Sequence, residues 1–183
     1  MIDSMWEAPS VVLITGIMAA GKSTVAEALA GRLPRSVHLR GDVFRRMVVN
    51  GRAEMSAEPS EEAWRQLRLR YDLAASAADG YAAAGFTVVL QDVVLGAELP
   101  AMVDRIRHRP LAVVVLAPSA EAVAVREDAR DKTGYGGWPV ADLDATFRAE
   151  TPRVGLWLDT SAQTPAQTVD EILARAWTDG RVG

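Results

Sequence analysis

Five short apolar runs alternate along the chain with segments of helical periodicity. The runs cover residues 11–15, 37–39, 87–90, 111–117 and, more weakly, 155–158. Several of them are apolar at every position rather than at alternate positions, which is typical of parallel strands buried on both faces. The pattern therefore predicts an α/β fold in which helices cover both sides of a parallel sheet.

The segments between the runs carry start signals and apolar faces of helices. They predict helices over residues 22–31, 42–49, 97–108, 119–130, 140–150 and 165–177. The longest predicted helix starts after the cap residue Ser60 and ends before Gly85. Its apolar positions recur at intervals of three and four, and they predict a face that packs on the core. These positions are Trp64, Leu67, Tyr71, Ala74, Ala78 and Tyr81.

Two stretches interrupt the alternation of runs and helices. Residues 50–59 are polar with glycine, proline and methionine, and residues 131–139 are rich in glycine. Ligands of open α/β sheets bind beyond the carboxyl ends of the strands, where such connecting loops lie. Both stretches are therefore predicted to be mobile loops beside a binding site.

Composition and charge limit the classes of protein that fit. A chain of 183 residues with 49% hydrophobic residues fits one domain over residues 1–183. A net charge of −4 argues against binding to extended nucleic acid. The absence of cysteine excludes disulfides and cysteine-based zinc sites. No basic leader and no apolar run of about 18 residues is present, so we expect a cytoplasmic protein without membrane contact. The sequence does not determine whether the chain forms a homo-oligomer.

The most specific motif lies between the first run and the first helix. Gly16, Gly21, Lys22 and Ser23 fit the phosphate-loop pattern G-x-x-x-x-G-K-[ST] in its expected strand–loop–helix context. Glycines let successive backbone N–H groups turn toward a polyphosphate at the positive end of the helix. We expect Lys22 to bridge the β- and γ-phosphates of ATP and Ser23 to bind Mg²⁺. The motif therefore predicts ATP and Mg²⁺ as cofactors.

Two aspartates follow predicted strands. Asp42 could accept the proton of an attacking hydroxyl, or it could cap the helix that begins there. Asp92 ends the third run, where a carboxylate suits Mg²⁺ or an acceptor substrate, or serves a turn. Together with Arg45, which could equally be a solvated surface arginine, these side chains form the predicted acceptor side.

Three cations stand close together near the second interrupted stretch. Arg126 and Arg130 are four residues apart and share a helix face, and Lys132 follows. Like charges at this spacing repel unless an anion offsets them, and a triphosphate would do so. These residues could belong to a hinged lid whose arginines stabilise the phosphoryl group during transfer. They could equally lie on an exposed helix that is stabilised by salt bridges. The role of Lys132 stays open.

These motifs resemble those of the chloramphenicol phosphotransferase-like small P-loop kinases, within the nucleoside-monophosphate-kinase-like class. The resemblance rests on the phosphate loop, Gly41 with Asp42, and residues 88–96 and 126–131. It implies a three-layer P-loop NTPase fold, a five-stranded sheet in the order 2-3-1-4-5, and a short lid over about residues 126–139. It also implies Asp42 as the base. The chain departs from the pattern of that group at two places. It has Gln91 before Asp92 where the group has paired aspartates, and its loop over about residues 50–60 does not match the loop of the group.

The resemblance also implies that lid arginines matching Arg126 and Arg130 contact ATP. The full set of residues predicted to bind the nucleotide is Gly16, Ala19, Ala20, Gly21, Lys22, Ser23, Thr24, Arg126 and Arg130.

Three functions fit these observations. The leading hypothesis is a kinase that transfers the γ-phosphoryl group of ATP to a hydroxyl of a small molecule, such as an antibiotic, with Asp42, Lys22, Arg126 and Arg130 in the chemistry. The second is a kinase of nucleosides, nucleotides or polynucleotide ends. The third is an ATP-binding regulatory module without a small-molecule acceptor. A GTPase switch is excluded, because Asn50 is the only asparagine and does not stand in the guanine-specifying element.

Overall fold

A parallel sheet forms the centre of the molecule. The computed structural model describes residues 6–56, 58–128 and 140–183. The sheet order β2-β3-β1-β4-β5 confirms the predicted α/β fold and the order 2-3-1-4-5. The strands are β1 Val11–Thr15, β2 Ser36–Arg40, β3 Thr87–Gln91, β4 Leu111–Leu116 and β5 Leu156–Leu158.

Helices cover both faces of this sheet. They are α1 Lys22–Arg32, α2 Asp42–Arg46, α3 Glu61–Ala83, α4 Glu98–Arg105, α5 Ala120–Asp128, α6 Val140–Glu150 and α7 Pro165–Asp179. Helix α1 packs beside α7, whereas α3 packs beside α4. Within the described ranges, no helix combines the length and the apolar character needed to cross a bilayer.

The three central strands explain why their runs are apolar at every position. All residues of β1, β3 and β4 are buried, since each strand has a neighbour on both edges and helices above and below. Strand β1 pairs with β3 on one side and with β4 on the other. This arrangement brings the carboxyl ends of β1, β2 and β3 to one edge of the sheet, where the phosphate loop begins.

The sheet also has a strand that the sequence pattern did not predict. Strand β6, Arg181–Val182, pairs antiparallel with the start of β4 at Leu111 and Ala112. Its two residues are too few to show a period.

Several predicted boundaries were wrong. Helix α2 ends at Arg46 instead of residue 49, because β-branched Val48 and Val49 and the turn former Gly51 follow Met47. Helix α4 spans Glu98–Arg105 rather than residues 97–108. The predicted core face of α3 is also too long: Tyr71, Ala74 and Ala78 are buried, but Trp64 and Tyr81 at its ends are exposed.

Candidate active site

The phosphate loop connects β1 to α1 through left-handed backbone. The φ angles are 145° at Gly16, 60° at Ala19 and 93° at Gly21. A side chain at Gly16 would also overlap the backbone carbonyl of Leu116 on β4. At Gly21 no atom lies within 4 Å of the position that a Cβ would take, so this glycine is required by its φ angle alone and leaves open space beside the loop.

Lys22 lies inside the loop. It is the first residue of α1, and its Nζ donates a hydrogen bond to the carbonyl of Ile17 at 2.7 Å. Ser23 and Thr24 are exposed in the first turn of the same helix. The lysine is therefore held within the loop, with the hydroxyls and N–H groups of the helix start open to solvent. These groups fit a bound polyphosphate, since a helix N-terminus favours anions.

A metal ion at this loop would have few protein ligands. The described residues contain no group of three or more histidine, aspartate or glutamate side chains arranged to hold a metal. The exposed Ser23 in the first turn of α1 offers a hydroxyl that could bind Mg²⁺ together with phosphate oxygens and water, the ligands that Mg²⁺ commonly takes.

Thr15 links the phosphate loop to the end of β3. Its hydroxyl donates to the carbonyl of Val94 at 2.8 Å and accepts from the N–H of the same residue at 2.9 Å. Tyr71 of α3 adds a hydrogen bond from its hydroxyl to the carbonyl of Val93 at 2.7 Å. Burial raises the pKa of Tyr71, so this hydroxyl stays protonated as a donor. The backbone after β3 is thus fixed from both sides.

The carboxylate of Asp92 is fully engaged at the end of β3. It pairs with the guanidinium of Arg70 through two contacts, including Nε to Oδ2 at 2.8 Å, and its Oδ1 accepts from the N–H of Val93 at 2.7 Å. The side chain of Asp92 is 1% exposed and that of Arg70 is 13% exposed. This places Asp92 in a buried ion pair, and its predicted metal or acceptor role stays a prediction.

Gly41 forms the contact between this ion pair and α2. Its N–H donates to the carbonyl of Gln91 at 3.0 Å, and a Cβ on Gly41 would overlap Oδ2 of Asp92. The absence of a side chain lets the buried carboxylate lie against the backbone immediately before Asp42.

Asp42 is the first residue of α2 and not its cap, so the capping alternative was wrong; Gly41 holds the cap position. Oδ2 of Asp42 accepts from Arg46, one turn later on the same helix, at 2.5 Å. The side chain of Asp42 is 30% exposed. Oδ1 of Asp42 makes no hydrogen bond or ion pair within the described residues, so this oxygen could accept the proton of a hydroxyl within hydrogen-bond reach.

Arg70 was missed by the sequence analysis. It stands one turn before Ala74 and two turns after Ala63, both buried, so it is a charged residue on the apolar face of α3. That position was the available signal, because arginine is almost never buried without a partner. Burial lowers the pKa of Arg70, with Arg45 acting in the same direction and Tyr71, Asp42 and Glu54 opposing it.

The loop after α2 is tied to its surroundings on two sides. Glu54 accepts from Arg45 of α2, and Gln66 of α3 donates to the carbonyl of Gly51 at 2.8 Å. The side-chain oxygen of Gln66 also accepts from the N–H of Ala53 at 2.9 Å. The described part of this loop therefore lies beside α2 and α3, and its role beside an acceptor stays a prediction.

Arg126 reaches the nucleotide side of the site from α5. Its guanidinium donates to the carbonyl of Thr160, which follows β5, at 2.7 Å, and to the carbonyl of Ala20 in the phosphate loop at 3.4 Å. Arg126 therefore lies beside the phosphate loop, while its contact with ATP stays a prediction. Arg130, Lys132 and the rest of the predicted lid after residue 128 lie outside the described residues.

A cavity of about 350 Å³ opens next to these groups at the carboxyl ends of β4 and β5. Arg148 of α6 lines it, pairs with Asp144 at 2.7 Å and donates to the carbonyl of Pro118 at 2.7 Å. A larger hollow of about 530 Å³ lies on the outer surface of α3, away from the phosphate loop. The residues lining the first cavity are Ala117, Ser119, Ala120, Glu121, Asp144, Arg148 and Asp159.

Comparisons with known proteins agree with this architecture. The model of a family described as an AAA domain matches residues 11–145. A search of curated proteins finds no match. The structure of the tunicamycin resistance protein of Deinococcus radiodurans superposes with a TM-score of 0.67 at 17% identity, over 96% of this chain and 99% of that chain.

Two further solved structures share the fold. A gluconokinase from Sinorhizobium meliloti 1021 gives a TM-score of 0.60 at 23% identity, over 91% of this chain and 90% of that chain. The APS kinase of Mycobacterium tuberculosis, in complex with AMPPNP and APS, gives 0.65 at 18% identity, over 91% of this chain and 96% of that chain. At these identities the similarity shows a shared P-loop NTPase fold and nothing more specific.

Proposed function

The chain belongs to the AAA domain family, and from this premise we propose that it is an ATP-dependent phosphotransferase whose acceptor is a hydroxyl of a small molecule. The observation that carries the proposal is the position of Asp42 at the start of α2, just after β2, at the same edge of the sheet as the phosphate loop that follows β1. A nucleotide-binding module without an acceptor would not need an accessible carboxylate there.

The nucleotide side of the proposal rests on the phosphate loop. Backbone N–H groups around Gly21, the ammonium of Lys22 and the helix start hold the phosphates of ATP. Mg²⁺, when bound near Ser23, neutralises charge on the β- and γ-phosphates. Arg126 contributes a guanidinium beside the loop, and its proposed task is to stabilise charge that develops during transfer.

The acceptor side of the proposal rests on Asp42. The acceptor hydroxyl forms a bond to the γ-phosphorus, the bond between that phosphorus and the β-γ bridging oxygen breaks, and ADP leaves. Asp42 takes the proton that the hydroxyl loses. The contact from Arg46 orients the carboxylate and leaves its second oxygen for the hydroxyl.

The class of acceptor within this proposal is a small molecule. The fold is shared with a protein named for tunicamycin resistance and with a gluconokinase. The resemblance to the chloramphenicol phosphotransferase-like group adds antibiotics to the same range. An assay panel should therefore contain hydroxylated antibiotics, sugars, nucleosides and 5′-hydroxyl oligonucleotides with γ-labelled ATP.

The substitution Asp42→Asn tests the proposed base. We expect kcat to fall by about 10²- to 10⁴-fold, because the proton acceptor is lost, while the affinity for ATP changes little. Steady-state kinetics with the labelled acceptor and a titration with AMPPNP measure the two quantities. Glu58→Gln, an equal change of charge in the neighbouring loop, is the control. Unchanged turnover in the Asp42→Asn variant would remove this residue from the mechanism.

A further inference from the structure

One carboxylate joins two arginines on the acceptor side of the site. Both oxygens of Glu54 accept from Nη1 of Arg45, at 2.6 and 2.5 Å, and Oε1 also forms an ion pair with Nε of Arg52 at 2.9 Å. The side chain of Glu54 is 54% exposed. The chain thus places its own anion between two cations, in a position open to solvent.

This cluster lies beside the proposed base. Arg45 follows Asp42 by three residues on α2, so the two side chains occupy neighbouring positions on one face of the helix. The pKa of Arg70 responds to Asp42, Arg45 and Glu54 together, which indicates that the four groups share one electrostatic neighbourhood. An anion bound between Arg45 and Arg52 would therefore lie close to a hydroxyl that reacts at Asp42.

The arginines are brought together by the fold rather than by Glu54 alone. Gln66 holds the backbone of the loop on both sides of Arg52, through Gly51 and Ala53, and Arg45 is fixed in α2. Two guanidinium groups held near each other need an anion to offset their repulsion. Ion pairs this exposed are weak, so an incoming anion can replace the carboxylate of Glu54 at little cost.

We propose that the acceptor carries a carboxylate or phosphate near its reacting hydroxyl, and that Arg45 and Arg52 bind this group in place of Glu54. The inference rests on the proposed function for the reaction itself. Glu54 then acts as an internal substitute for the substrate anion and keeps the arginines in place until an acceptor arrives.

The first test measures anion binding without any reaction. With the phosphate loop saturated by AMPPNP and Mg²⁺, sulfate is titrated calorimetrically into the wild-type protein and into Glu54→Gln, Glu58→Gln and Arg45→Gln/Glu54→Gln variants. We expect Glu54→Gln to bind sulfate about two- to fivefold more tightly, since its internal competitor is gone. Glu58 makes no polar contact within the described residues and is the matched control.

The double variant should lose the gain in sulfate affinity, because one of the two binding arginines is missing. Equal affinities of the Glu54→Gln and Glu58→Gln variants would overturn the inference, since the effect would then be one of net charge only. Retention of the gain after the loss of Arg45 would overturn it as well.

The second test compares acceptors that share one carbon skeleton. D-glucose is the neutral member, D-gluconate carries a carboxylate and glucose 6-phosphate carries a phosphate, and antibiotic pairs with and without an acidic group extend the set. We expect a higher kcat/KM for the anionic members. Comparing D-gluconate with glucose 6-phosphate then shows whether the arginines prefer a carboxylate or a phosphate. Preference for neutral acceptors would overturn the inference and leave the proposed kinase intact. If no acceptor is phosphorylated, the proposed function fails, and the sulfate titration alone decides the anion site.

Discussion

Gly41 shows how one missing side chain places a reactive group. The carboxylate of Asp92 lies where a Cβ on Gly41 would be, and its pair with Arg70 holds it there. Burying such a pair is favourable only when each charge is well satisfied, as the Val93 N–H helps to ensure. The backbone immediately before Asp42 therefore lies in direct contact with a buried ion pair.

The substitution Gly41→Ala tests this contact. The added methyl group must displace a buried carboxylate, so we expect a loss of about 1–3 kcal/mol in the free energy of unfolding, together with a lower kcat. Urea denaturation measures the first effect and the kinase assay the second. Gly80→Ala is the control. Gly80 is exposed in α3 with open space around it, and alanine there should stabilise the helix by about 0.5–1 kcal/mol. Similar effects of the two substitutions would contradict this account.

His38 predicts a dependence of stability on pH. Burial and the neighbouring charge of Arg40 lower its pKa below the ordinary 6.5, with Glu27 opposing, and its Nε2 is buried without a hydrogen-bond partner among the described residues. The unfolded chain then takes up a proton at higher pH than the folded protein. This contribution to stability is complete above pH 6.5 and is lost as the pH falls through 6.5 toward the lowered value.

The variant His38→Gln should remove that part of the pH dependence. Free energies of unfolding from urea titrations at several values between about pH 8 and about pH 5 make the comparison. The variant curve should be flatter than the wild-type curve in the acidic half of this interval. Parallel curves would show that other groups cause the slope.

The residues of the site differ in how far sequence predicts them. The phosphate loop has a specific motif and Asp42 comes shortly after a predicted strand, so local sequence is enough to place both at the carboxyl edge of the sheet. Arg70 has no motif, and its partner Asp92 lies 22 residues later. A contact of this kind depends on how α3 docks on the sheet, which no local pattern records.

At the level of elements, the loop after α2 depends on α3 for its position. Gln66 provides both of its described backbone anchors, at Gly51 and Ala53. Each hydrogen bond of this type contributes about 1 kcal/mol. The loop should therefore open more often when this side chain is removed.

The substitution Gln66→Ala should speed tryptic cleavage after Arg52 by roughly fivefold or more, since cleavage follows the population of the open loop. The KM for the acceptor should rise while the KM for ATP stays near the wild-type value. Limited proteolysis followed by mass spectrometry measures the cleavage rate. Leu69→Ala, an exposed change on the same helix, is the control. Equal cleavage rates in both variants would show that the loop is held by other contacts.

The elements themselves were predicted with uneven accuracy, for physical reasons. Strands β1, β3 and β4 were placed within one or two residues, because double-sided burial demands an apolar side chain at every position. Strand β6 was not predicted, since a two-residue strand owes its limits to its pairing with β4 rather than to periodicity. The end of α2 was placed too late because the β-branched residues after Met47 were counted in the helix. Trp64 and Tyr81 followed the helical period of α3 beyond the part that the sheet covers.

For the whole molecule, Trp6 connects the start of the described chain to its last helix. Its ring is buried against Trp177, with centroids 5.0 Å apart, and its Nε1 donates to the carbonyl of Leu173 at 3.1 Å. The contact joins parts of the sequence that are 167 residues apart. Trp6 therefore closes the fold over the α7 side of the sheet.

The substitution Trp6→Ala should lower the free energy of unfolding by about 3–5 kcal/mol, because a fully buried aromatic ring is replaced by a cavity. Urea denaturation followed by circular dichroism is the suitable measurement, since tryptophan fluorescence itself changes. Trp64→Ala, whose ring is 37% exposed, should cost much less. A cost at Trp6 no greater than at Trp64 would mean that α7 is secured by other contacts.

The central place of β1 in the sheet has a consequence for synthesis on the ribosome. Val11–Thr15 is made well before its two neighbours, since β3 and β4 are made only at residues 87–91 and 111–116. At the usual speed of translation, β1 waits on the order of ten seconds for its second partner. During that interval the nascent chain carries an unpaired hydrophobic segment, the kind of segment that chaperones bind and that aggregation begins from.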